Sequence, residues 1–358
     1  MKSPITFGIV GGGWRADFFA RIAQALPDRF RVTGCYSRTA ATREKMAADW
    51  QIPACASLDA LLQTQPGFVV LSVARKVCAD FILELAARGI PVLAETPPAD
   101  QLADLIHLWE NLPEKAVVEI AEQYPFQPLT LARLAFIASG KLGTVTQAQV
   151  SAAHDYHGVV LIRKYLGIGF ESPRIEAYAF TSPLTAGRNR QAGPTEEKII
   201  ASRQVIARLQ FGDKLGVYDF TGDQYFSWVR SQRLLVRGEK GEINNLDASY
   251  LADFQTPIHL RFERRDAGHH GNLEGYCHQG YLAGESWLYR NPFRPARLAD
   301  DEIAVASCLE AMQHCVETGQ SFYGLAEASQ DHYLGLLIGQ AAQTGESLQA
   351  TPQPWHPR

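Results

Sequence analysis

The chain has 358 residues, a formal net charge of −4, and 46% hydrophobic against 20% charged residues. That length can bury more than one core, so it predicts two domains. The weak charge offers no basic face to nucleic acid, and no apolar run reaches membrane-spanning length, so neither partner is expected. The six cysteines, Cys35, Cys55, Cys78, Cys277, Cys308 and Cys315, form no C-x-x-C pair and read as reduced thiols. With one lysine and no long apolar core ahead of the first glycines, a cytoplasmic protein is expected.

Ile5 to Val10 reads as a buried strand that runs into Gly11-Gly12-Gly13. A helical pattern follows, with Trp14, Phe18, Ile22 and Leu26 on one face. The spacing is G-x-G-x-x-A: Gly11 for the tight turn, Gly13 for close approach of a pyrophosphate, Ala16 for helix–strand packing. The helix start supplies free N–H groups to that pyrophosphate, and Trp14 and Arg15 stand where they would cover it. A second strand, Phe30 to Tyr36, ends at Ser37-Arg38, where an acidic residue would otherwise take the ribose hydroxyl of NAD. A hydroxyl and a guanidinium there suit a 2′-phosphate, which leans the cofactor toward NADP while leaving NAD open. Arg38 would serve equally as a solvated residue at a helix start.

Helices are expected over 39–50, around Leu58 to Leu62, over 79–88 and over 102–112, and strands over 67–73, 90–94 and 116–120. This alternation predicts a parallel sheet with right-handed crossovers and a ligand cleft beyond the strand ends. Those ends carry Ser72, Val73 and Ala74, then Glu95 and Thr96, then Gln123 and Tyr124. After Tyr124 come a helix over 128–139 and longer strand-like runs over 145–153, 175–180, 204–211, 215–220, 225–229 and 233–236, an antiparallel pattern. Residues 185–197 read as a loop or flap. Helices return over 300–318 and 325–344, and a Pro-rich tail follows. His269, His270, Cys277 and His278 match no zinc spacing and read as a polar surface loop, so no metal is expected.

The chain resembles the Gfo/Idh/MocA family of NAD(P)-dependent sugar and cyclitol oxidoreductases. The resemblance rests on the G-x-G-x-x-A turn, Ser37-Arg38, the segment Pro91-Val92-Leu93-Ala94-Glu95-Thr96-Pro97, and Gly140-Lys141-Leu142-Gly143-Thr144-Val145. It implies an α/β protein: a Rossmann dinucleotide-binding domain over 1–123, and over 124–358 an α/β domain with a large, mostly antiparallel open sheet for substrate binding and oligomerisation. The C-terminal helices are free to pack back on the first domain. One sheet face is usually covered by another subunit in the family, so a homodimer or higher homo-oligomer is expected. Two departures stand out. Thr96 replaces the family's E-K-P lysine, and around Ala153-His154-Asp155-Tyr156-His157 only His157 matches the family's D-x-G-x-H-x-x-D pattern.

Hydride transfer from a hydroxyl-bearing carbon needs a group that takes the hydroxyl proton. His157 is the candidate, since imidazole titrates near neutrality. Tyr124 would donate its phenol to a substrate oxygen or else pack between domains, and Thr96 would line the same pocket at the nicotinamide edge. His154, Asp155, Tyr156 and Lys164 are candidate substrate contacts; His154 reads equally well as structural, and Lys164 as a solvated helix lysine. The expected activity is NAD(P)-dependent oxidation of a sugar, cyclitol or related polyol. Alternatives are a catalytically silent dinucleotide or sugar sensor, and a redox-neutral sugar lyase or glycosidase using bound NAD(P).

Overall fold

The structure, a computed structural model, describes residues 3–357, with the side chains of 272–274 outside the described set. Its contacts divide the chain into two compact units. The first is Met1–Pro128 with Arg264–Gly280 and Arg290–Ser329; the second is Leu129–Glu263 with Tyr281–Tyr289 and Gln330–Arg358.

The first unit begins β1 (Ile5–Gly11), α1 (Trp14–Ala25), β2 (Phe30–Tyr36), α2 (Ala40–Trp50), α3 (Leu58–Leu62), β3 (Phe68–Ser72), α4 (Arg75–Ala87), β4 (Val92–Ala94), α5 (Leu102–Asn111) and β5 (Val118–Ile120). The strands form one parallel sheet in the order β2-β1-β3-β4-β5. Its inner strands β3 and β4 are short, fully buried and almost wholly apolar because helices cover both faces. Phe7 and Phe68, both fully buried, stack at 5.7 Å between ring centroids on neighbouring strands. The chain leaves β1 to one side for β2 and returns on the other side for β3, so the strand order reverses at the glycine turn. Helix α4 starts at Arg75, four residues earlier than its apolar periodicity suggests. Its first turn, Arg75-Lys76, is polar and carries no hydrophobic signal.

The chain continues through α6 (Pro128–Ala138), β6 (Val145–Ser151), α7 (Asp155–Leu166), β7 (Arg174–Thr185), β8 (Ile199–Phe211), β9 (Lys214–Thr221), β10 (Arg233–Gly238), β11 (Gly241–Asn244), β12 (Asp247–Asp253) and β13 (Thr256–Arg261). It then runs through β14 (Glu263–His269), β15 (Asn272–Ala283), β16 (Ser286–Arg290), α8 (Asp300–Thr318), α9 (Leu325–Thr344) and β17 (Leu348–Gln349). A nine-stranded sheet has the order β13-β12-β11-β10-β6-β9-β8-β7-β17, and β14-β15-β16 form a small third sheet. Only β6 and β9 pair in parallel among the registers described in the large sheet. Helix α7 lies on one face of that sheet, where Gly158 and Gly216 remove the Cβ atoms that would otherwise strike Tyr218 and Ile162. Within the first unit, α8 packs on α1 and Glu302 pairs with Arg21.

Three expectations are corrected. Residues 225–229 are not a strand: a 3₁₀ turn over Gly222–Tyr225 ends the run. The Gln224 amide donates to the carbonyls of Ser151 and Ser231, and Ser227 Oγ accepts from the Val229 and Arg230 N–H groups. Such local bonds compete with a ladder. Strands β7 and β8 are longer than expected, reaching Thr185 and Ile199, because their outer parts, Thr181-Ser182-Pro183 and Ile199-Ile200-Ala201, lack the strict alternation that marks a half-buried strand. Cys277 and His278 are not on a surface loop; both are buried in β15.

Candidate functional site

The glycine turn is built by contact. Gly11 has φ +118°, and a Cβ there would fall 1.9 Å from the Ser72 carbonyl oxygen, so only glycine fits beside β3. At Gly12 a Cβ would meet Thr42 Cγ2 at 2.3 Å. Gly13, the N-cap of α1, faces open space with nothing within 4 Å of its missing side chain. Ala16 is fully buried one turn on, as helix–strand packing requires.

Beyond this turn lies a cavity of about 450 Å³. It gathers Gly11, Gly13, Trp14 and Arg15 with Ser37 and Arg38 after β2 and Ser72, Val73 and Ala74 after β3. Thr42, Val77 and Phe81 also line it. The residues fit a dinucleotide: a helix N-terminus open at Gly13 for the pyrophosphate, and a hydroxyl and an exposed guanidinium at the ribose end. Arg43, one turn into α2, brings a further cation there and donates to the Ser37 carbonyl at 3.0 Å.

Glu95, Thr96 and Gln123 are not in the wall of this cavity. Glu95 and Gln123 instead hold Arg15: its guanidinium pairs with Glu95 at 2.8 Å and donates to Gln123 Oε1 at 3.1 Å. Burial works against the Arg15 charge, and the Glu95 carboxylate more than restores it, so its pKa is raised. Burial, then the charges of Glu122 and Glu95, push the Cys308 thiol well up; burial, with Glu95, pushes Cys78 to about 12. Both thiols are therefore protonated at neutral pH. Thr96 is half-buried after β4, and Tyr124, also half-buried, opens a 3₁₀ turn whose N–H donates to Glu122 at 3.0 Å.

In the second unit, His154 is the N-cap of α7 and the other candidates follow on its first turns. His157 and Tyr156 are buried, Asp155 is exposed and Lys164 half-buried. The rings of His154 and His157 meet edge-on at 4.8 Å, and Tyr156 lies 4.3 Å from His157. Tyr225 Oη accepts the His154 N–H at 3.0 Å and lies 2.7 Å from its Nδ1. Asp155 sits at φ +41°, strained for a non-glycine residue, and its N–H is held by Tyr218 Oη at 3.0 Å. His332 packs edge-on against Tyr156 at 5.4 Å. Deeper in the helix, Arg163 pairs with the fully buried Asp331 at 2.7 Å.

The first unit thus brings nine of the expected cofactor residues to one cavity and ties two more to Arg15, while the second gathers His154, Asp155, Tyr156 and His157. Sequence reasoning missed Arg43, Tyr218, Tyr225 and His332. None lies beside a motif, and Tyr225 reads locally as strand. Among the described residues no group of acidic, histidine and cysteine side chains is placed to hold a metal, and no helix is long and apolar enough to cross a membrane.

Residues 5–123 match the model of an oxidoreductase family described as having an NAD-binding Rossmann fold. No curated protein matches the chain. Solved structures share the fold along nearly its full length. An oxidoreductase from Agrobacterium radiobacter, in complex with NAD+, L-tartaric acid and magnesium, is 13% identical with a TM-score of 0.69, covering 96% of this chain and 98% of its own. A levoglucosan dehydrogenase in complex with NADH and levoglucosan is 13% identical, TM-score 0.69, covering 98% and 100%. A myo-inositol dehydrogenase from Corynebacterium glutamicum is 17% identical, TM-score 0.65, covering 98% and 99%.

Proposed function

We propose that this chain, which belongs to the Gfo/Idh/MocA oxidoreductase family through residues 5–123, is a dehydrogenase that oxidises a sugar, cyclitol or related polyol with NADP or NAD. The observation that carries the reading is the cavity at the open Gly13 N-cap, walled by Ser37 and Arg38 at one end and Ser72 to Ala74 at the other. Levoglucosan and myo-inositol, named with two similar structures, support a hydroxyl-rich substrate.

The dinucleotide, when bound, supplies the hydride acceptor. The chain supplies the rest. The α1 N-terminus and Gly13 receive the pyrophosphate, and Ser37 and Arg38 receive the ribose end, with a preference for a 2′-phosphate. His157 takes the hydroxyl proton as the carbon gives up its hydride, a role worth roughly 10²–10⁴-fold. Tyr124 donates to a substrate oxygen and Thr96 contributes a hydroxyl. His154, Asp155, Tyr156 and Lys164 contact the substrate.

The test is a titration of wild type and Gly13→Val with NADP and NAD, followed by a screen of sugars, cyclitols and polyols for dinucleotide reduction. Gly13→Val puts a side chain into the open space at the helix start and is expected to lose binding. Equal affinity in both proteins would sink the cofactor reading. Binding without turnover on any polyol would favour the silent sensor, to which Thr96 in the lysine's place lends weight. Net lysis with no accumulated reduced cofactor would favour the redox-neutral enzyme.

A further inference from the structure

Arg15 is held on three sides. Its Nε and Nη2 edge faces Glu95 and Gln123, with Nε donating to Glu95 Oε1 at 3.0 Å. Its face lies 5.0 Å from the Phe18 ring centroid and 5.4 Å from that of Trp14. Nη1 alone makes no hydrogen bond or ion pair with the described residues, and Arg15 lines the cleft. A guanidinium fixed in this way is preorganised, and its charge is permanent.

Its place along the cleft follows from strand order. The ligand of such a sheet lies across the strand ends, with its pyrophosphate at the turn after β1. The ribose end with Ser37 and Arg38 follows β2, at one edge of the sheet. Glu95 follows β4 and Gln123 follows β5, on the opposite side of β1. The Arg15–Glu95 pair therefore belongs to the half that receives the nicotinamide. A nicotinamide ring is cationic when oxidised and neutral when reduced, so any net charge on this pair discriminates between the two forms.

We infer that Arg15 and Glu95 form a charge-compensated pair that sets the balance between oxidised and reduced cofactor in this cleft. The inference rests on the dinucleotide reading above. Arg15 alone would repel the oxidised ring; Glu95 alone would attract it; paired, they cancel. Gln123 accepts from Arg15 without adding charge and fixes its direction.

The experiment measures the affinities of NAD+, NADH and ADP, or of NADP+, NADPH and 2′,5′-ADP, for wild type, Arg15→Gln, Arg15→Lys and Glu95→Gln. The two neutralising variants are expected to move the ratio of oxidised to reduced dissociation constants in opposite directions. Arg15→Gln lowers it and Glu95→Gln raises it, each by roughly tenfold for a unit charge acting through a partly screened site. Arg15→Lys keeps the charge and leaves the ratio near that of wild type. The adenosine diphosphates lack the ring and report what each variant does to the pyrophosphate, an effect that cancels in the oxidised-to-reduced ratio. Shifts of the ratio in the same direction, or no shift, would each overturn the inference. If Arg15→Gln does not fold, Glu95→Gln and Arg15→Lys still decide it. A wild type that binds neither form defeats the dinucleotide reading and this inference together; an unmoved ratio with intact binding defeats this inference alone.

Discussion

Arg38 stands exposed at the end of β2 beside the half-buried Arg43, and the local excess of positive charge is what a 2′-phosphate needs. Arg38→Ala is expected to weaken NADP by about 1–3 kcal/mol, the range of a charge-assisted hydrogen bond, and NAD by much less. Paired calorimetric titrations check it, and equal losses for both cofactors would remove the assignment. His157 is buried between His154 and Tyr156, so its ring is held in place by packing. For an active enzyme, His157→Ala should lower kcat by roughly 10²-fold or more while dinucleotide affinity stays nearly unchanged. An unchanged kcat would point to a structural histidine.

Elements differ in how plainly their residues announce them. The inner Rossmann strands β3 and β4 were legible because burial on both faces makes them short apolar runs, and the glycine turn was legible because Gly11 must sit against the Ser72 carbonyl. Residues 225–229 were not, since Gln224 and Ser227 decide that segment by bonding to backbone groups. The cavity residues came from strand ends and could be read in order, whereas Tyr225 and His332 reach the histidine cluster through tertiary packing that no local pattern records. Helix α7 depends on a tight seat: a Cβ at Gly158 would lie 2.6 Å from Tyr218 Cε2, against a ring that also anchors Asp155. Gly158→Ala should cost about 1–3 kcal/mol by overpacking, read as a lower urea midpoint with unchanged slope. In β15, burial, reinforced by Arg264, lowers the His278 pKa from 6.5 despite opposing Asp300 and Asp266. The unfolded chain then binds the proton first, so this contribution to stability is full above pH 6.5 and falls as the pH drops toward the folded pKa. His278→Gln should flatten the decline of Tm below that pH; an identical slope would acquit His278.

At the scale of the molecule, the large sheet leaves one face open along β7 and β8. Tyr178 and Phe180 are each 58% exposed on β7 and, two residues apart, share that face. Tyr178 lies opposite Ile206, which stands in turn beside Asp219, while Glu176 and Arg208 pair on the same face. We propose that this apolar strip with charged borders takes a second copy of the chain. A Tyr178→Glu, Phe180→Glu double variant should shift light scattering toward monomer at micromolar concentration; a wild type that is monomeric there would refute the proposal.

The first unit takes its last pieces from far down the chain. Glu119, on β5 and 3% exposed, accepts the N–H groups of Phe322 and Tyr323 at 3.0 and 2.8 Å, and α8 covers α1. A ribosome delivers these partners late. At roughly 5–20 residues per second, the stretch between residues 128 and 329 takes about 10–40 s to emerge. For that interval the nascent dinucleotide-binding half has its whole parallel sheet in hand but a carboxylate on its edge strand β5 without its backbone donors. Its synthesis therefore includes a window in which chaperones and proteases meet an almost finished domain.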